Sequence, residues 1–430
     1  MKNRELDVNR SGYWRLVREN SDFRYLWFGQ IVSLLGDWFN LIASATLVGY
    51  LTDSGLAVGA LFIIRMLSPF LTSPVAGVVA DRYDRRKVLI AADVARAVVV
   101  LGFLLVREAG DIWLLYMLTA IQLGISGFFF PARNAILPNI VGPTELGAAN
   151  ALSSATWSIM LAFGTALGGL VAGGMGVRVA FVVDAASFGF SAVLIAGIRF
   201  RPAQDHIDHA GPRAVFRQYA EGLSYLKRHL DVLAIVLNKA ALTLTTSGAF
   251  QVILVALADR LFVIGKGGGI GLGLMFGTVG VGTGLGPIIA RRFTGDRDRA
   301  LRIAIAAGFF ILALGVAIAA SLANFETFLC GILLRGAGGG IVWVFSTQLL
   351  MHQVPNHFQG RVFATEFALF TLMGAVSAAA SGWAIDVPLL GISRTLWVIA
   401  GLCLVPFVLW GGYVLRAKKR SDAGNTKSLT

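Results

Sequence analysis

One basic stretch of the sequence reads Gly77-Val-Val-Ala-Asp81-Arg82-Tyr-Asp-Arg85-Arg86-Lys87 and joins two long apolar segments. The segments on its two sides, Leu56–Ala76 and Val88–Val106, are each long enough to cross a lipid bilayer as a helix. Four of the last six residues of the stretch are basic. Because clustered Lys and Arg residues stay on the cytoplasmic side of a membrane, this loop predicts a membrane-spanning fold and its own sidedness.

The composition excludes a soluble globular protein. Of the 430 residues, 56% are apolar and only 14% are charged, and the mean hydropathy is +0.72. Too few polar side chains are present to cover a water-exposed surface. The 51 glycines suit close contacts between helices inside a bilayer. The composition therefore predicts an all-α integral membrane protein.

Apolar segments of about 20 residues recur along the whole chain. There are twelve of them: Tyr25–Tyr50, Leu56–Ala76, Val88–Val106, Ile112–Phe130, Ala151–Ala172, Val179–Ile198, Leu230–Leu257, Ile270–Ile289, Ile303–Leu322, Thr327–Leu350, Val362–Ile385 and Leu396–Leu415. The longest polar stretch separates the first six from the last six. We therefore expect an N-terminal segment (1–24), two six-helix bundles (25–200 and 230–415), a linker with an amphipathic helix (201–229) and a tail (416–430).

The basic residues are distributed unevenly between the two sides of these spans. Of the 37 Lys and Arg residues, 28 fall on the side of the 82–87 loop, five on the opposite side and four within spans. The positive-inside rule places both termini in the cytoplasm, so we expect a multi-pass protein of the cell membrane. The net charge of +13 is thereby explained by topology, and we expect no nucleic-acid partner.

The basic stretch resembles the signature loop of the major facilitator superfamily, Gly-x-Leu-Ala-Asp-Arg-x-Gly-Arg-Arg/Lys, and departs from it at Asp84, where glycine is usual. Further stretches resemble the drug:proton antiporter branch that contains macrolide efflux proteins and the enterobactin exporter. They are Leu35-Gly36-Asp37-Trp38-Phe39, Phe130-Pro-Ala-Arg133-Asn134, Asp184-Ala-Ala-Ser187-Phe188 and Gly360-Arg361-Val-Phe363. The resemblance implies two parallel halves of six spans each, the major facilitator fold.

The resemblance also implies a conformational latch in the basic loop, on the cytoplasmic side. Its residues would be Gly77, Asp81, Arg82, Arg85, Arg86 and Arg133. Glycine lets a second helix approach closely, and a carboxylate at a helix edge can pair with an arginine. We expect Arg133 to be the partner of Asp81. The alternative interpretation is an ordinary cytoplasmic charge cluster.

Apart from Asp231 at the edge of the seventh span, eight ionisable residues lie within the predicted spans, where an unpaired charge facing lipid costs several kcal/mol. Asp93 and Arg96 are one helical turn apart and form a structural pair, and Asp184 is also interpreted as structural. The candidates for proton coupling or substrate binding are Asp37, Arg65, Lys239, Arg335 and Glu366. Asp37 lies about 18 Å along the first span, and a carboxylate withdrawn from water binds a proton more readily. In the major facilitator fold that the resemblance implies, spans one, four, seven and ten line the substrate cavity.

We therefore expect a secondary transporter that exports an amphipathic organic compound in exchange for protons, as a monomer without metal or cofactor. A dedicated siderophore exporter and a lysophospholipid transporter are the alternatives within transport. A polyanionic substrate would use Arg65, Lys239 and Arg335, whereas a cationic drug would use Asp37 and Glu366. A membrane enzyme lacks support because no His/Glu or Ser/His/Asp set gathers near one membrane face. A scaffold would not need the intramembrane charges.

Overall fold

The computed structural model describes residues 14–142, 145–199, 221, 223–295 and 297–427. Within these residues the secondary structure is entirely helical, and twelve helices are long and apolar enough to cross a membrane. We label them α1 to α12 in chain order: α1 Ser21–Thr52, α2 Gly55–Arg82, α3 Arg85–Gly102, α4 Ile112–Ile140, α5 (Leu146–Ile159, Met160–Gly164, Thr165–Leu170 and Val171–Met175), α6 Val177–Ala196, α7 (Leu230–Leu242, Thr243–Ser247 and Gly248–Arg260), α8 Gly269–Thr294, α9 Asp298–Ala320, α10 Phe325–Gln353, α11 Asn356–Asp386 and α12 Gly391–Lys427. The predicted all-α fold with twelve spans is confirmed.

The bounds of the helices follow from local chemistry. At the start of α1, the Asn20 side chain accepts a hydrogen bond from the backbone N–H of Phe23 (2.9 Å), which caps the helix. The predicted fourth span ends too early, because α4 continues through Pro131 and Pro138 to Ile140. Proline removes one backbone donor, but helices inside a membrane bundle accommodate that loss.

Asp84, the departure from the signature loop, begins α3. Its carboxylate accepts hydrogen bonds from the backbone N–H groups of Arg86 (2.9 Å) and Lys87 (3.4 Å). An acidic N-cap residue accepts hydrogen bonds from the free backbone N–H groups of the first turn, and its negative charge complements the positive end of the helix dipole. The turn between α2 and α3 is therefore built around a carboxylate instead of a glycine.

Helices α5 and α7 contain π-helical turns. Two lie in α5, at Met160–Gly164 and Val171–Met175, and one lies in α7, at Thr243–Ser247. Each such turn inserts one residue into the helical register and is frequent at functional sites. Of the predicted linker with an amphipathic helix (201–229), only residues 221 and 223–229 are described, and residues 221 and 223–228 are helical.

The chain divides into two compact units. The first unit contains Met1–Asp53, Ile64–Val215 and Leu257–Gly277. Within it, α6 packs against both α1 and α3, and α3 also packs against α4. The second unit contains Ser54–Ile63, Phe216–Ala256 and Thr278–Thr430. Within it, α9 packs against both α10 and α12.

Candidate functional site

The first unit buries five ionisable side chains in one group, which we call the acidic cluster. Its members come from four helices: Asp37 of α1, Arg65 of α2, Asp93 and Arg96 of α3, and Asp184 of α6. Three carboxylates thus face two guanidinium groups. When all five are ionised the cluster carries one net negative charge.

Arg96 lies at the centre of the acidic cluster and is only 2% exposed. Its guanidinium donates to the carboxylate of Asp93 one turn earlier and lies 3.8 Å from Oδ2 of Asp37. The rings of Phe129 and Phe188 approach its Cζ atom at 4.7 and 4.1 Å. Cation–π contacts and two carboxylates together compensate the buried charge.

Asp93 has a second partner, since the Ser191 hydroxyl of α6 donates to its Oδ2 at 2.7 Å. One carboxylate oxygen of Asp93 is therefore held by α3 and the other by α6. This arrangement ties the two helices together through a buried hydrogen-bonded ion pair. The Asp93–Arg96 pair therefore stabilises the packing of α3 against α6.

Asp184 is fully buried, and the Asn40 side chain of α1 lies within hydrogen-bonding range of its carboxylate. Gly36 allows α1 to lie directly against it, because a Cβ atom at Gly36 would stand 2.4 Å from Oδ1 of Asp184 and 2.0 Å from Oγ of Ser187. A side chain at position 36 would displace both groups. The Gly36-Asp37 pair of α1 thus places a second carboxylate beside Asp184.

Asp37 is the member of the three carboxylates that keeps an exposed edge, with 25% of its side chain accessible. Its Oδ1 atom has no hydrogen-bond partner among the described residues. Arg65 lies within electrostatic range of both Asp37 and Asp184, and its Nη1 atom is buried without an acceptor in the described ranges. Asp37 is therefore loosely held and accessible, whereas Asp93 is firmly held and sealed.

The second unit buries an ion pair between α7 and α11. Nζ of Lys239 donates to Oε2 of Glu366 at 2.9 Å, and both side chains are almost fully buried. Nζ also lies 4.8 Å from the ring centroid of Trp343 in α10. The other oxygen of Glu366 is buried without a donor among the described residues. The pair is compensated in charge but incompletely hydrogen-bonded.

Arg335 of α10 is a buried cation of the same unit, with 8% exposure. Its Cζ atom lies 4.2 Å from the centroid of the Phe250 ring in α7. The Cys403 thiol of α12 is within its electrostatic range. Within the described part of the unit, no carboxylate forms an ion pair with Arg335.

The predicted latch residues are only partly described. Gly77, Asp81 and Arg82 belong to α2. The side chains of Asp81 and Arg82 lie outside the described residues, so the expected pairing of Asp81 with Arg133 stays a prediction. Arg85 donates to the carbonyl of Ala135 at 2.9 Å. Arg86 donates to carbonyl groups in the last turn of α6, which satisfies free acceptors there. Arg133 donates to Ser153 and Asn134.

Comparison with known proteins decides the family. The family model of the Major Facilitator Superfamily matches residues 26–378. The chain belongs to the Major Facilitator Superfamily. It is thus a member of a transporter family and a multi-pass membrane protein with twelve candidate spans.

Individual relatives of this facilitator are bacterial. It is 27% identical over 378 residues to "Uncharacterized MFS-type transporter YfiS" of Bacillus subtilis, covering 85% of this chain and 87% of the relative. It is 29% identical over 263 residues to "Putative bacilysin exporter BacE" of Bacillus amyloliquefaciens, covering 59% and 65%. A bacterial homologue of the iron transporter ferroportin, solved in an inward-facing state, superposes with a TM-score of 0.70 at 16% identity, covering 91% and 98%. That likeness shows the fold alone.

The structure brings together charged residues that were assigned to separate roles from the sequence. It places Asp37 and Asp184 in the same cluster as the Asp93–Arg96 pair, and it joins Lys239 to Glu366. Sequence reasoning missed the role of Ser191, although Ser187 and Ser191 follow Asp184 on one helical face at spacings of three and seven. That face is the signal that could have identified the buried partner of Asp93.

Proposed function

We propose that this facilitator is a proton-coupled exporter of an amphipathic organic compound, with both termini in the cytoplasm and the proton gradient as its energy source. The relative named as a bacilysin exporter supports export as the direction. The uneven distribution of Lys and Arg supports the orientation. The observation that carries proton coupling is the excess of one carboxylate in the acidic cluster.

An ionised cluster with one uncompensated negative charge is costly inside a membrane protein. Uptake of one proton makes the cluster neutral. Asp93 is held by Arg96 and Ser191, and Asp184 is sealed from solvent. Asp37 is the accessible carboxylate, so the proton enters and leaves there.

Protonation of Asp37 also removes its attraction to Arg96 across 3.8 Å. A group that is weakly held can exchange a proton without dismantling the Asp93–Arg96 pair. Arg96, Arg65 and Asp184 contribute to the electrostatic field around it. This division between a fixed pair and a loose acid is what a reversible proton site requires.

The test is proton flux in everted membrane vesicles from a bacterium without its own multidrug pumps. A panel of amphipathic acids, neutral compounds and cations is added while a pH-sensitive dye reports proton movement. For transported compounds we expect Asp37→Asn to reduce proton flux by at least about 100-fold, since one protonatable group is removed from a coupled cycle. Downhill exchange of substrate needs no protonation cycle and should persist.

Glu366→Gln is the matched control, because it neutralises a carboxylate that is already paired with Lys239. We expect a smaller loss that depends on the compound. Substrate export that continues at the same rate after the proton gradient is collapsed would overturn proton coupling. Undiminished flux in Asp37→Asn would move the proton to another carboxylate.

A further inference from the structure

The backbone around Arg335 is fixed by close packing of α10 against α9. A Cβ atom at Gly315 of α9 would lie 2.4 Å from the backbone nitrogen of Arg335, and one at Gly331 of α10 would lie 2.6 Å from that of Ala319. Because α9 occupies that side, the Arg335 side chain extends towards Phe250 of α7 and Cys403 of α12. The position of the guanidinium is therefore determined by the fold.

The charge of Arg335 has no counter-charge in the described part of the second unit. Glu366, the carboxylate buried within the spans of this unit, is bound by Lys239 at 2.9 Å. Nε of Arg335 is buried and has no acceptor in the part of the chain that the structure describes. Arginine does not lose its proton in proteins, so the site cannot become neutral by deprotonation. The two cations and one carboxylate leave one positive charge.

The chemistry of the site selects its ligand. Cζ of the Arg335 guanidinium lies 4.2 Å from the centroid of the Phe250 ring, so an aromatic ring lies next to the charged group. A planar group with two donors matches the two oxygens of a carboxylate in a bidentate contact. A bound carboxylate would bring the net charge of the site to zero, whereas a doubly ionised phosphate would make the site negative. The aromatic ring offers an apolar surface for the rest of the ligand.

We infer that Arg335 and Phe250 form a binding subsite for a single carboxylate group, and that the molecules this facilitator carries include amphipathic organic acids. The inference names a substrate class and so rests on the proposed transport function. It concerns binding at equilibrium and needs no proton gradient. Its failure is therefore distinguishable from a failure of proton coupling.

The test compares benzoate with benzamide, two probes that share an aromatic ring and differ in charge. The full-length protein is placed in lipid nanodiscs, and the dissociation constants are obtained from the dependence of Tm on probe concentration. We expect the unchanged protein to bind benzoate at least about tenfold more tightly than benzamide, the effect of one charge-assisted contact. In Arg335→Gln the two affinities should become equal.

Three further variants make the result specific. Arg335→Lys keeps the charge but loses the planar donor pair, so the preference for benzoate should shrink without disappearing. Arg178→Gln removes an exposed arginine and should leave the preference unchanged. Asp37→Asn should also keep the preference while losing proton flux.

Three results would overturn the inference. Equal affinities for benzoate and benzamide in the unchanged protein would show that no carboxylate subsite exists. A preference that survives in Arg335→Gln would assign the subsite to another residue. Tighter binding of phenylphosphonate than of benzoate, measured at alkaline pH where the phosphonate carries two charges, would contradict the carboxylate assignment.

Discussion

The acidic cluster of the first compact unit combines three carboxylates with two guanidinium groups, whereas the spans of the second unit bury two cations against one carboxylate. The two imbalances equal one elementary charge each and have opposite signs. Within each unit, part of the charge is firmly paired: Asp93 with Arg96, and Lys239 with Glu366. In the function proposed above, the remaining charge of each unit is the part that binds a proton or a ligand.

The comparison separates two roles for buried charge. Paired groups hold helices together, and removal of one partner leaves the other uncompensated. An unpaired group costs stability in the resting protein and is retained for what it binds. The two classes should therefore respond in opposite ways to the same substitution.

The largest difference is expected between two arginines. Arg96→Met leaves Asp93 and Asp37 without their common counter-charge and should lower the free energy of unfolding by about 3–5 kcal/mol. Arg335→Met removes a cation that has no ion-pair partner among the described residues, and the protein should be no less stable than before. Reversible unfolding in mixed micelles measures both. A comparable loss of unfolding free energy in the two variants would contradict the distinction between paired and unpaired buried charges.

Lys239→Met should destabilise the protein by about 3 kcal/mol, because Glu366 is then buried without a partner. The double variant Lys239→Met with Glu366→Met removes both charges and should recover most of that loss. A double-mutant cycle on the free energy of unfolding gives the coupling between the two residues. Additive effects of the two substitutions would mean that the pair does not stabilise the second unit.

The sequence predicted the spans well and the charge contacts poorly, for a physical reason. A span is a local property, since about 20 consecutive apolar residues suffice to define it. The contact of Asp93 with Arg96 is also local, because a spacing of three places both on one helical face. Lys239 and Glu366 are 127 positions apart, so their pairing depends on how α7 packs against α11. The contact of Gly36 with Asp184 depends in the same way on α1 and α6.

The smallest expected difference concerns two buried serines. Ser191→Ala removes the 2.7 Å hydrogen bond to Asp93 and should cost about 1 kcal/mol of unfolding free energy. Ser346→Ala is the matched control in the second unit, because the Ser346 hydroxyl is equally buried but has no partner among the described residues. That variant should be neutral or slightly more stable. Equal effects of the two substitutions on Tm would show that the hydrogen bond from Ser191 to Asp93 does not stabilise the protein.

The position of Cys403 gives this chain a natural spectroscopic reporter. The sequence has two cysteines, of which Cys330 is exposed and Cys403 is buried within electrostatic range of Arg335. The S–H stretching vibration is infrared-active, and its frequency follows the local electric field. An anion that docks on the neighbouring guanidinium would change that field at Cys403 and leave Cys330 unaffected. Occupancy of the subsite at Arg335 could thus be read from the vibrational spectrum of an unlabelled protein.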